Sequence, residues 1–419
     1  MTLSKQDIYN YMESHFRDYY ELSSNICVTD YFVQYSPASR VDFSNVLHNP
    51  DPLWFTFEGK QIPVFMYSKT DAPENKLPFD PFVNGFLFLS GLQEHLTEER
   101  DAHHRFPLEK SLQHRFNFLH IPVVNVYFEF LSQHLQKFNI AIRQKPLGTK
   151  SKSQLIITHD IDRLNSGWKE MIGVSLRSKK ITAILPIINA FKRKLWGTRD
   201  YYTEALYNLL DFEFQHHIPS LYFFLSNKSA KDGDYDIHSN QMENIIGDVL
   251  KNNACIGLHA GYFTFQNIQE FERQFNALRK TSPEALKINR QHFLRFDIKT
   301  TPEIYKKLSI QIDYTLGFPD DYGFRNGICG PFHLFDFNNN LSYDCLEIPL
   351  FFMDNNYINH RASFNNTIFF ENIKWIDKHF NFKVSILFHN TVFIKIKYHD
   401  AAPIFYELIE YAESNKLLF

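Results

Sequence analysis

The chain has 419 residues, 44% of them apolar and 22% charged, with 44 basic against 47 acidic residues and a formal net charge of −3. This is the balance of a globular protein with ample core, and it argues against nucleic acid as a partner, since a nucleic-acid surface is usually strongly basic. The length suits two domains or one large one.

In chain order, Tyr31-Phe32-Val33, Trp54-Phe55-Thr56-Phe57 and Val64-Phe65-Met66-Tyr67 read as strands, and 82–96 and 124–138 as helices. Linker composition at 145–153 predicts a boundary, giving a small α+β accessory domain over 1–150 and a second unit over 151–419. Beyond the boundary, apolar runs at 154–158, 220–225, 255–259, 292–296, 310–315, 346–350 and 384–389 alternate with helical stretches. Met242, Ile245, Ile246 and Val249 share one helical face, as do Phe369, Ile373, Ile376 and Phe380. Seven such alternations predict an α/β fold with a parallel sheet closing into a barrel. The 43 Phe residues predict aromatic walls for its cores and any cleft.

The N-terminus has no charged-then-apolar leader, and no stretch approaches the ~18 apolar residues of a membrane span. Cys27, Cys255, Cys329 and Cys345 are scattered, without a CxxC pair. A reducing cytoplasm is the expected location. The segment 176–196 has basic ends around an apolar middle. It reads first as a helix pair burying one face on the barrel, and second as a peripheral contact with an anionic membrane.

The chemistry concentrates where apolar runs end. Leu155-Ile156-Ile157 leads into Thr158-His159-Asp160-Ile161-Asp162, and the two-residue period of a strand puts Asp160 and Asp162 on one side. Neighbouring carboxylates require a cation or a retained proton. A metal-bound carboxylate beside a free base satisfies that requirement, and a solvated strand-end turn is the alternative. His259 and His389 lie at the ends of later runs, and Glu347 lies within the run 346–350. In a β/α barrel such ends meet at one rim.

Thr158-His159-Asp160-Ile161-Asp162, Ile256-Gly257-Leu258-His259, Arg290-Gln291-His292-Phe293-Leu294-Arg295 and Leu387-Phe388-His389-Asn390 together resemble, in order, the motifs of polysaccharide deacetylases, the NodB-homology group of carbohydrate esterase family 4. Phe79-Asp80-Pro81-Phe82 and the stretch from Arg100 to Pro107 are similar to a divergent bacterial branch with an N-terminal accessory domain. The resemblance implies a deformed (β/α)7-type barrel holding one divalent metal, zinc in the family's usage, and acting on N- or O-acetyl groups of a carbohydrate. It assigns Asp160 as general base, Asp162 and His259 as metal ligands, Arg290 as the partner of Asp160, and His389 as general acid.

One departure matters. The family's second motif carries two His four residues apart, whereas here Phe263 follows His259 at that spacing. Two ligands hold zinc poorly, so a third is needed. His292 is the candidate, its other reading being a cleft residue that contacts sugar. The rival functions are a non-catalytic glycan-binding descendant, which the missing His supports, and a hydrolase of a non-sugar amide. The segment 313–327 is expected to face substrate, with Asp313 either orienting a catalytic group or capping a loop. Oligomeric state is not legible.

Overall fold

The computed structural model describes residues 1–23, 26–31, 39–48, 50–67, 76–148, 151–177, 184–282, 287–394 and 401–418. The N-terminal region holds helix α1 (Lys5–Tyr19), a hairpin of β1 (Leu53–Phe57) and β2 (Lys60–Val64), and helices α2 (Pro81–Leu89), α3 (Leu92–Leu96) and α4 (Val123–Gln136). Asp80 caps α2, accepting from the amides of Phe82 and Val83, and Pro81 stands in its first turn. The single helix expected over 82–96 is broken because Gly91 takes φ 76°, a left-handed geometry that ends α2 and starts α3.

The strand expected at 64–67 ends at Val64. The amides of Phe65 and Met66 donate to the Asn84 side chain and leave the ladder. Of Tyr31-Phe32-Val33, Tyr31 closes a 3-10 turn, Val28–Tyr31, and the other two lie outside the described residues.

The larger region is built from β3 (Gln154–Ile161), α5 (Gly167–Arg177), α6 (Ile184–Leu195), α7 (Tyr201–Gln215), β4 (Ser220–Leu225), α8 (Asn240–Lys251), β5 (Cys255–Ala260) and α9 (Ile268–Thr281). It continues with β6 (Ile288–Gln291), α10 (Thr301–Leu308), β7 (Ile312–Asp313), β8 (Phe332–Asp336), β9 (Leu341–Glu347), β10 (Leu350–Met353), α11 (Asp354–His360), α12 (Asn366–His379), β11 (Lys383–Leu387) and α13 (Ala402–Ser414). The sheet order is β8-β9-β7-β6-β5-β4-β3-β11-β10, parallel except for β8 against β9.

The sheet curls into a deformed, partly closed barrel. β9 pairs with β7, while its continuation β10 pairs with β11 on the far side of the order. The amides of Ile348 and Leu350 also donate to the carbonyls of Asp313 and Leu316, so one extended segment spans the gap. β4 is buried at every residue, as a strand covered on both faces must be. Its Leu221 and Phe223 cluster with Ile288, Tyr314 and Ile348, and Tyr222 and Phe224 belong to the main core.

The N-terminal region is hydrogen-bonded to the loop 323–331. Val124 N donates to Gly327 O, Cys329 N to Asn125, and Tyr19 Oη to Pro331 O. Arg325 was expected to face substrate. It is instead buried against Glu94 at 2.7 Å, because a guanidinium removed from water needs a carboxylate beside it. Gly323, at φ 138°, sits so close to Leu119 O that a Cβ would lie 2.5 Å from it.

Candidate metal centre

Strand geometry gathers the site. Along β3, Thr158 and Asp160 both accept from Arg290, while His159 turns to the opposite side and meets Glu213 of α7 at 2.7 Å. Asp162 follows on the same side as Asp160. His259 comes from β5, two strands away in the sheet, and His292 follows β6.

The ligating atoms of Asp162, His259 and His292 all lie within 4.8 Å of one another, the one such group of three among the described residues. This Asp-His-His set can hold a divalent cation. His259 Nε2 is 3.3 Å from Asp162 Oδ1, yet both atoms are buried without a hydrogen-bond partner. Orphaned polar atoms at this depth are costly unless something else binds them, and a shared metal ion would do so. His259 Nδ1 faces the carbonyl of Arg290 at 3.0 Å, which leaves Nε2 its lone pair. His292 repeats the arrangement, with Nδ1 against Asp232 Oδ1 at 3.2 Å and Nε2 toward Asp162 Oδ2 at 3.6 Å.

The run expected as a strand at 292–296 is a tight turn. Phe293 and Leu294 take φ 60° and 53°, and two successive bulky residues in left-handed geometry carry strain. Neighbouring groups hold the turn: Arg105 donates to Phe293 O at 2.9 Å, and Arg295 donates to His103 O and Tyr262 O. The guanidinium of Arg295 also lies over the Tyr262 ring. Phe263, which stands at the spacing of the absent imidazole, is exposed and does not line the cavity.

Asp160 is buried with Arg290 Nη1 at 2.9 Å from Oδ1. Arg290 is itself fully buried, 4.5 Å from the centre of the Phe223 ring, and donates through Nε to Tyr314 O. Burial alone would raise the Asp160 carboxyl, but His259, Arg290 and His389 outweigh it and hold it below the usual carboxylate value. Burial likewise opposes ionisation of Asp162, and His292, His259 and His389 bring it well below normal.

His389 Nδ1 meets Asp354 Oδ1 at 2.9 Å, and its Nε2 lies 3.7 Å from Asp162 Oδ2. Although burial favours the neutral ring, these carboxylates raise His389 to about 10. The six residues given catalytic or metal-binding roles thus converge, five of them on a cavity of about 280 Å³ with Arg290 behind Asp160, whereas Glu347 does not line it and is buried accepting from Leu316 N at 2.7 Å. Arg105, Phe293, Asp320, Asn355 and Asn359 add to its wall.

Sequence reasoning missed Asp232 and Asp354, which orient His292 and His389, and gave Arg105 no role. Only a family-wide pattern at those positions could have flagged them, because isolated Asp residues in loops are common caps and turns. Asp313 is elsewhere: it accepts from Asn289, Tyr305 and Thr315 in a fully buried network.

Residues 9–140 match a protein-family model described as a family of unknown function, DUF7033. No curated protein matches the chain. Among solved structures, it is similar to a Mycobacterium smegmatis protein assigned as a polysaccharide deacetylase (10% identity, TM-score 0.38, covering 65% of this chain and 94% of that one). It is also similar to PuuE allantoinase (15%, 0.40, 63% and 85%) and to a chitin deacetylase from the fungal pathogen Colletotrichum lindemuthianum (12%, 0.26, 55% and 84%). With every TM-score below 0.5, nothing about this chain's chemistry follows from these likenesses.

Proposed function

We propose that the protein is a metal-dependent hydrolase that removes N- or O-acetyl groups from a carbohydrate, with zinc held by Asp162, His259 and His292. The observation that carries this reading is the open-sided Asp-His-His set beside a separate ionised carboxylate, Asp160. Three protein ligands plus an open position is the composition of catalytic zinc sites, and two imidazoles with one carboxylate suit that ion. A bound metal supplies polarisation of the acyl oxygen and a more acidic water.

Asp160, kept anionic by Arg290, accepts the proton of the attacking water. His389, kept cationic by Asp354, gives a proton to the departing nitrogen or oxygen. Phe293 and the planar polar groups of Arg105, Asp320, Asn355 and Asn359 suit the faces and hydroxyls of a sugar. His292 supplies a third ligand where Phe263 offers none, which removes the main ground for a non-catalytic descendant.

The test pairs metal analysis with acetate release from N-acetylated chitooligosaccharides and O-acetylated saccharides. Asp160→Asn should keep the metal and lose turnover; Asp162→Ala should lose both. Full metal content in Asp162→Ala, or no acetate from any saccharide with the metal-loaded protein, would refute the proposal.

A further inference from the structure

Between β3 and α7, where a short turn would complete the first β/α unit, the chain inserts α5 and α6, which pack on each other. The amides of Gly167 and Trp168 donate to Asp200, which also caps α7, so the two ends of the insertion are tied together. The insertion leaves from the end of β3 that carries Asp162, on the barrel rim where the cavity lies.

α6 turns its apolar face outward. Ile184, Ile188, Phe191 and Leu195 recur at helical spacing, with Leu185 beside them and Trp196 just beyond, and all six are exposed. Ala190 is the one residue of the helix that is buried. This overturns the expectation that the 176–196 pair buries an apolar face on the barrel. Seven of the sixteen exposed large apolar side chains among the described residues fall between Leu176 and Trp196, so the patch is concentrated.

Charge identifies what covers it. From Trp168 to Trp196 there are seven basic residues and one acidic, within a chain whose total is −3. Lys192 and Lys194 are exposed, at 5.5 Å from the Trp196 ring and 5.9 Å from the Trp168 ring. Trp168 itself contacts Phe191. Apolar side chains flanked by Trp and Lys match the boundary between lipid headgroups and acyl chains, whereas lysine is depleted in protein interfaces. At twelve residues α6 is about 18 Å long, too short to cross a bilayer and suited to lie in its surface.

We propose that the α5–α6 hairpin docks the protein on an anionic lipid surface. The test is cosedimentation of the full-length protein with vesicles of phosphatidylcholine alone and of phosphatidylcholine with phosphatidylserine. The wild type should pellet with the anionic vesicles only, and about 0.5 M salt should release it. Lys192→Gln/Lys194→Gln should weaken binding about 30-fold. Phe191→Ser/Leu195→Ser should weaken it at least about tenfold.

These side chains are exposed, so unchanged circular dichroism and metal content should accompany the loss. Absence of binding, equal binding to neutral vesicles, or variants that bind like the wild type would overturn the proposal. A dimer in sedimentation velocity that Phe191→Ser/Leu195→Ser dissociates, without vesicle binding, would overturn it by assigning the face to a second copy of the chain.

Discussion

Asp232→Asn is the sharpest probe of the third ligand. Asp232 Oδ1 accepts from Tyr262 N at 2.6 Å and faces His292 Nδ1, while Oδ2 accepts from Asn227 and Ser229 at 2.9 and 3.1 Å. Burial raises its carboxyl, yet His292, the Tyr262 amide and Asn227 bring it down to about 2, so it is anionic at neutral pH. The amide keeps the shape, and its oxygen still accepts from Tyr262 and His292, while its nitrogen, in the place of Oδ2, no longer accepts from Asn227. The negative charge facing His292 Nδ1, which would make the ring a stronger ligand, is also removed.

Losing such a partner lowers metal affinity about 10- to 100-fold, or about 1.4–2.7 kcal/mol. Because the bonds to Tyr262 and His292 survive, the lower half of that range is expected. Competition of the apoprotein against a chromophoric chelator measures it, with His292→Ala as the reference for losing the ligand outright. Should Asp232→Asn bind as tightly as wild type while His292→Ala loses at least 100-fold, something other than Asp232 orients the ring. Should His292→Ala also bind normally, His292 is not a ligand.

Three further outcomes are expected. Arg105→Ala removes the donor to Phe293 O and frees the strained turn after His292, so metal affinity should fall several-fold while thermal stability moves by less than about 1 kcal/mol; an unchanged affinity would show that Arg295 alone holds the turn. Glu94→Gln leaves the buried Arg325 without its counter-charge and should cost about 3 kcal/mol in urea unfolding, and a change under about 1 kcal/mol would mean water reaches the pair. His15 is fully buried, faces Tyr11 O through Nδ1 and accepts from the His333 amide at Nε2, and burial lowers it to about 4. Its folded value lies below its unfolded one, so the unfolded chain binds more protons between pH 6.5 and 4, and about 3 kcal/mol of stability should be lost as pH falls through that window; His15→Gln should flatten the slope, and an unaltered slope would place it in other groups.

Much of the site was legible because a strand's two-residue period is unforgiving. Once Leu155-Ile156-Ile157 is read as a strand, Asp160 and Asp162 must share a side, and the neighbouring His159 must leave it for Glu213. The helical faces of α8 and α12 were legible for the same reason, apolar side chains recurring at the helical period. What failed was local and conformational. Apolar composition made 292–296 look like a strand, and nothing in the residues themselves announces two left-handed φ angles in succession at Phe293 and Leu294. Arg325 looked like a substrate contact because composition cannot say that Glu94, 231 residues away in the chain, will bury it.

The turn at Phe293 and Leu294 explains how this barrel accommodates Phe263. An imidazole four residues after His259 would ride on the 3-10 turn Tyr262–Thr264, the segment whose Phe263 faces solvent. His292 instead follows β6, the strand adjoining β5, and an extended continuation of that strand would point Phe293 and His292 to opposite faces. The left-handed pair bends the chain instead, so that His292 and Phe293 both line the cavity. That bend is unfavourable alone, and the groups holding it come from outside the barrel strands: Arg105 and His103 from the N-terminal region, and Tyr262 from the turn after β5. His292 and the N-terminal region are therefore coupled, and removing residues 1–150 should weaken metal binding about as much as His292→Ala does, even if the remaining barrel stays folded by far-ultraviolet circular dichroism. A folded barrel over 151–419 that binds metal with wild-type affinity would break that coupling.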